Sequence, residues 1–360
     1  MEEVTALECI EKFEQYLNYR QDKNDIALST AYSYKRLLLK FKDYILNLNI
    51  QIISEIKEEH VTKFLEQIKS IYTYSTVRYY IFVLQKFFEF LVNKRIIKNK
   101  KNPMLFFELP KQVQSEPISL SNLQVRNLIE SAKKELFEII IQYEKLEEKH
   151  NKNLQKNYSK DMMNRIVKNY NNKVQAFAKK YIKELRNYSM LSIMLSFGCR
   201  RGELKFLKVK SLNFEDKTIK FLNVKTKQYQ IITGLDDLVF EILQEYIEYA
   251  NLKDDHFLFV NSRTNKPLSD MGCSTIIKNY LKKSGLGMHK VHTLRKTVAS
   301  FTYKQTKDLV QTASRMRDSS LSLVFNVYLH IDEDELRDAV GKFPVSSNFD
   351  PNFIKSAKSV

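Results

Sequence analysis

The chain has 360 residues, enough for two domains with separate cores, and its 43% apolar content excludes wholesale disorder. A formal net charge of +17 and a pI near 9.4 point to a polyanionic partner, with nucleic acid the leading candidate and a Lys- and Asn-rich proteome bias as a contributing source of the excess. Cys9, Cys199 and Cys273 show no CxxC spacing, which suits a reducing cytoplasm and argues against a structural zinc site. The acidic start MEEVTALECI is no signal peptide and no apolar run approaches bilayer length, so the expectation is a soluble cytoplasmic protein without a membrane partner.

The first 102 residues contain no glycine or proline. Apolar stripes at Leu37, Leu38, Phe41, Tyr44 and Ile45, and at Phe82, Leu84, Phe87, Phe88 and Leu91, have helical spacing, so this part predicts a compact domain of four or five helices. Pro103, Pro110 and Pro117 then break any helix and predict an interdomain linker over 103–117. Ser121-Asn-Leu-Gln124 is a capping box that opens a second domain over 118–343.

Within that domain, 133–185 is strongly polar in its middle and resumes an apolar stripe at Met163, Ile166, Tyr170, Val174, Phe177, Tyr181 and Leu185. Two readings are open: a long core helix with a solvated face, or an inserted helical arm that contacts DNA or a neighbouring subunit. Beyond Gly198, Lys217–Val224 and Gln228–Thr233 predict two strands joined by a short turn, and Phe257–Val260 a third. Helices follow to about Val340, and 344–360 reads as a loose tail or one that docks on a neighbouring subunit.

The residues with chemistry lie in the second half. Gly198-Cys-Arg200-Arg-Gly-Glu203-Leu sets an arginine and a carboxylate three residues apart, a spacing that puts both on one helical face. Lys225 stands in the predicted strand turn, with Lys227 as its competitor. His292-Thr-Leu-Arg295 places a histidine and an arginine one helical turn apart, and Tyr328 follows in Ser319-Ser-Leu-Ser-Leu-Val-Phe-Asn-Val-Tyr328-Leu-His330. Each fragment alone is weak: an Arg-Glu pair is ordinarily a surface feature, and the chain has 20 tyrosines. Their order and spacing carry the signal.

In that order and context the set resembles the active site of the tyrosine recombinase and integrase family, in an Xer-like, mobile-element form. The resemblance implies a mainly α fold with a small β-sheet, in which a helical SAM-like core-binding domain precedes an α+β catalytic domain. It implies two arginines, Arg200 and Arg295, on the scissile phosphate. Lys225 would protonate the leaving 5′-oxygen, His292 would assist proton transfer and Tyr328 would be the nucleophile that forms a 3′-phosphotyrosine. Glu203 and His330 would support them. Neither cofactor nor metal is implied. The partners would be double-stranded DNA with paired recombination sites and three further subunits in a tetramer that passes through a Holliday junction, placing the enzyme at the nucleoid. A type IB topoisomerase, or a DNA-binding protein with a degenerate site, are the alternatives.

One position departs from the pattern. Where the family usually has a histidine or tryptophan shortly before the tyrosine, this chain has Asp318 or Ser319. Arg317, Lys296 and His330 are the candidates to substitute for it.

Overall fold

The computed structural model describes residues 4–111, 118–223, 228–233, 237–318 and 321. The chain divides into two compact units, Met1–Ser115 and Glu116–Val360, each with its own core.

Among the described residues the first unit contains four α-helices: α1 (Ala6–Asp22), α2 (Leu28–Asn47), α3 (Glu58–Ile71) and α4 (Tyr74–Asn93). Thr5 starts α1 with a reciprocal cap: its hydroxyl accepts from the Glu8 N–H at 3.2 Å, and the Glu8 carboxylate accepts from the Thr5 N–H at 3.0 Å. Helix α4 buries Val77, Tyr80, Ile81, Val83, Leu84, Phe87, Phe88, Phe90 and Leu91, a belt too wide for one face, so it is the inner helix of the unit. Aromatic edges join the other helices to it, with Phe13 of α1 against Phe87 at 5.5 Å and Phe41 of α2 against Phe88 at 6.2 Å.

The segment after Pro103, expected to be linker, packs in its first part on this unit. Met104 is buried, Gln85 donates to the Phe107 carbonyl at 2.6 Å, and Arg78 Nε donates to the Pro110 carbonyl at 2.7 Å. Prolines excluded a helix here but not burial, because an extended strap can still satisfy its carbonyls through side chains.

The second unit opens with two long antiparallel helices, α5 (Asn122–Leu154) and α6 (Lys160–Phe197). The Ser121–Gln124 capping box forms as its spacing requires. Leu128 and Ala132 of α5 and most of the stretch from Leu185 to Phe197 of α6 are buried in the core, and Ile139 of α5 is buried outside that cluster. The remaining halves pair with each other as a hairpin: Lys180 donates to Gln142 at 3.3 Å, Tyr143 meets Phe177 edge-on, and His150 stacks on Tyr170 at 3.7 Å.

Helix α7 (Arg201–Lys205) follows α6 directly. A three-stranded antiparallel sheet comes next, ordered β1 (Leu212–Asn213), β2 (Thr218–Leu222) and β3 (Tyr229–Ile232), with Ile219 opposite Ile232 and Phe221 opposite Gln230. Its buried side presents Ile219, Phe221 and Ile232 to the core. The strand expected at Phe257–Val260 does not form. That segment makes only isolated bridges, Lys208 with Phe257 and Val260 with Pro267, while Leu258 and Phe259 fill the core and Tyr246 binds the Leu258 carbonyl at 2.8 Å. Its apolar pattern recorded burial rather than pairing. Helices α8 (Asp237–Tyr249), α9 (Asp270–Lys283), α10 (Val291–Thr306) and α11 (Leu309–Met316) follow among the described residues. The fold is mainly α with a small sheet. Among the described residues no helix is long and apolar enough to cross a membrane.

Candidate active site

The site forms where α6 stops. Gly198 takes a left-handed conformation (φ 55°) as the C-cap of α6, and a Cβ there would lie 2.8 Å from Met316 Cε and 3.2 Å from Val298 Cβ. Glycine therefore lets three segments meet: the end of α6, α10 and the end of α11. Val298, Ala299, Ala313 and Met316 form the small apolar cluster beneath.

Arg200 is the N-cap of α7. Its backbone N–H donates to Glu203 Oε2 at 2.9 Å, and its Nη1 donates to Oε1 of the same carboxylate at 3.1 Å. Glu203, only 3% exposed, thus holds both ends of the arginine. The neighbouring Arg201 turns away and bonds the Ser274 hydroxyl of α9.

Arg295 projects from α10, one turn after His292, and its side chain is 1% exposed. Nη1 donates to the Gly198 carbonyl at 2.6 Å, and Nη2 donates to the Met316 carbonyl. These carbonyls belong to helix ends, where acceptors lack intrahelical partners, so the buried guanidinium is fixed by groups that themselves require a donor.

Asp318 brings the two arginines together. Its Oδ1 accepts from Arg200 Nη2, and its Oδ2 accepts from Arg295 Nη2 at 2.7 Å, with the carboxylate 5% exposed. Arg317, at φ 53° after α11, points the other way: its guanidinium lies over the Phe221 ring at 4.5 Å and donates to Glu203 Oε2 from Nε and Nη2. Three arginines therefore share two carboxylates.

The His292 ring is exposed beside this cluster. Desolvation by its surroundings, then the charges of Arg295, Lys296, Arg200 and Arg201, push its pKa down to about 4. Water screens part of that effect, but the direction favours a neutral imidazole at pH 7, able to accept a proton. Cys199 lies buried in the same loop, and desolvation drives its thiol up to about 12, so it is no nucleophile.

Of the residues singled out in the sequence, Arg200, Glu203, His292, Arg295 and Asp318 fall in this one place. Lys225, Ser319, Tyr328 and His330 lie outside the described residues. The sequence offers Arg317 only as a substitute for the missing histidine, whereas in the structure it pairs with Glu203. The available signal was local charge: Arg315, Arg317 and Asp318 crowd a segment whose neighbours Ala313 and Met316 are buried, and a buried cation needs a counter-ion.

Two family models match the chain: the phage integrase family over residues 156–335, and the phage integrase N-terminal SAM-like domain over 13–95. The chain belongs to the phage integrase family. It is an Xer-like tyrosine recombinase, of the enzymes that cleave and rejoin DNA. Among its relatives, a probable integrase/recombinase, YoeC of Bacillus subtilis (strain 168), is 31% identical over 162 residues, 45% of this chain and 86% of the relative. The tyrosine recombinase XerD of Staphylococcus epidermidis (strain ATCC 35984 / DSM 28319 / BCRC 17069 / CCUG 31568 / BM 3577 / RP62A) is 24% identical over 337 residues, 92% of this chain and 97% of that one. The recombinase also shares its fold with the XerH site-specific recombinase in a post-cleavage complex with a palindromic difH substrate, at a TM-score of 0.64 and 19% identity, covering 92% and 84% of the two chains.

Proposed function

We propose that this recombinase cuts duplex DNA by attack of Tyr328 on a phosphate gripped by Arg200 and Arg295. One observation carries the reading: two arginines from separate elements converge on the two oxygens of a single anion, Asp318. A phosphodiester likewise offers two negative oxygens on one central atom, and the fixed forks of two guanidiniums match it.

Arg200 and Arg295 would neutralise the charge that builds in the pentacoordinate transition state, with Glu203 holding Arg200 in place beforehand. Tyr328 attacks in line and yields a 3′-phosphotyrosine and a free 5′-hydroxyl, so the bond energy is kept in the ester. Lys225 supplies the proton to the leaving 5′-oxygen. His292, kept neutral by its surroundings, takes a proton from the tyrosine or a hydrogen bond from its hydroxyl. Attack of a 5′-hydroxyl from a second duplex reverses the step and exchanges the strands. The full reaction would then use paired sites, a tetramer and a Holliday junction in the cytoplasm, for integration, excision or transposition of a mobile element. The polar hairpin of α5 and α6 and the residues after 343 are the parts best suited to subunit or flanking-DNA contacts.

The test is incubation of the full chain with nicked suicide duplexes, followed by a denaturing gel. A covalent adduct that Tyr328→Phe abolishes supports the reading. An adduct surviving in Tyr328→Phe removes Tyr328 as nucleophile. Relaxation of supercoiled DNA without strand exchange would instead favour a topoisomerase.

A further inference from the structure

Asp318 does more than mark where a phosphate would sit. Its carboxylate is 5% exposed and lies against Arg295, which is 1% exposed, while Arg200, at 33%, forms the open side of the cluster. Both protons of Arg295 Nη2 are engaged, one by the Met316 carbonyl and one by Asp318 Oδ2, and Nη1 serves the Gly198 carbonyl. The carbonyls come from helix ends packed in place. Asp318 is the one of these three acceptors that is a side chain, and its own N–H is tied separately to the Ala313 carbonyl at 3.0 Å. The carboxylate can therefore rotate away while the backbone of the site stays where it is.

Charge counting points the same way. Arg200, Arg295 and Arg317 face Glu203 and Asp318, so the closed cluster carries one net positive charge. Exchanging Asp318 for one phosphodiester leaves that balance unchanged. Holding both would set two anions on the same pair of guanidiniums, which like-charge repulsion opposes. Glu203 is not the exchangeable member, because it also accepts from the Arg200 N–H and from the buried Arg317.

We propose that Asp318 is a resident anion that occupies the seat of the scissile phosphate, and that DNA must expel it before Arg200 and Arg295 can act. This rests on the reading that those two arginines bind that phosphate. Asp318 is thereby a specificity-determining residue. Random duplex meets a filled seat, and only a site whose other contacts outweigh the two ion pairs of Asp318 delivers its phosphate to the arginines. The intrinsic affinity of the seat is reduced by the fraction of molecules in which it is open.

Thermal unfolding of the full chain with inorganic phosphate tests this without requiring catalysis. Wild type, Asp318→Asn and Asp318→Ser are melted across low millimolar phosphate, with chloride holding ionic strength constant. The variants should melt below wild type in chloride, because Arg295 loses its carboxylate, and phosphate should restore them with an apparent affinity at least about tenfold tighter than wild type. Adding Arg200→Ala to Asp318→Asn should remove the gain. An equal phosphate response in wild type and variants overturns the proposal, as does a gain that persists without Arg200. If neither variant folds in chloride, recovery in phosphate supports the proposal, and failure in both salts makes Asp318 a structural strut and overturns it. Failure of adduct formation on suicide duplexes would sink the strand-cleavage reading and leave this phosphate response intact.

Discussion

Glu203 and Arg317 form a buried ion pair, with Nε at 3.1 Å and Nη2 at 2.9 Å from the same carboxylate oxygen. The pair joins α7 to the end of α11, and the same carboxylate holds the backbone of Arg200. Breaking it leaves the buried guanidinium over Phe221 with backbone carbonyls but without its counter-ion. Glu203→Ala should therefore cost about 3–5 kcal/mol of stability, the range for a buried pair deprived of one partner. Denaturant unfolding measures the loss, and Glu203→Gln should retain part of it by still accepting from Arg200 N–H.

Gly198→Ala puts a methyl group where Met316 Cε and Sδ already are, on a backbone at φ 55°. Strain and overpacking together should cost about 2–4 kcal/mol. The neighbour is the flexible end of a methionine, so Met316→Ala in the Gly198→Ala background should recover part of the loss. A double-mutant cycle reads that coupling, and strict additivity would show that the methyl does not meet Met316.

His292 should titrate below an ordinary histidine, because desolvation and four nearby cations oppose its charging. Its folded pKa lies under its unfolded value, so the unfolded chain binds the extra proton between them. The contribution to stability is thus complete above about pH 6.5 and is lost as pH falls toward 4. Unfolding of wild type and His292→Asn at several pH values should show the two converging as the pH rises through that window. Ring NMR shifts should show the pKa rising when DNA phosphates approach.

All three thiols should resist alkylation in the native protein. Burial pushes Cys9 and Cys273 up to about 11 and Cys199 up to about 12, so little thiolate exists at pH 8. Iodoacetamide with mass readout should find them unmodified until denaturant is added; rapid native labelling of Cys199 would contradict its placement.

Much of this architecture was readable from short-range spacing. The Ser121 cap, the apolar stripe of α4, the strands β2 and β3, and the Arg200–Glu203 pair all depend on residues a few positions apart, where helix and strand periods constrain contacts. The β1 strand was missed because two residues carry no alternation to read, and Phe257–Val260 was misread because burial and strand pairing leave the same apolar signature. The bridge from Asp318 to Arg200 and Arg295 was invisible for another reason. It joins α7, α10 and the end of α11 through a fold-dependent meeting at Gly198, and the local run Met316-Arg317-Asp318 carries no period that announces it.

Helix α6 is a continuous rod of 38 residues, about 57 Å long, that ends three residues before Arg200. Among the described residues its far half is mostly exposed and is braced by α5. Geometry makes it a pointer: a tilt of about 1° at the Gly198 end moves the Lys160 end by about 1 Å. Whatever grips the tip of the hairpin thus has long leverage over the angle at which the arginine loop is presented, and lengthening or shortening the hairpin would alter that leverage without touching a residue of the site.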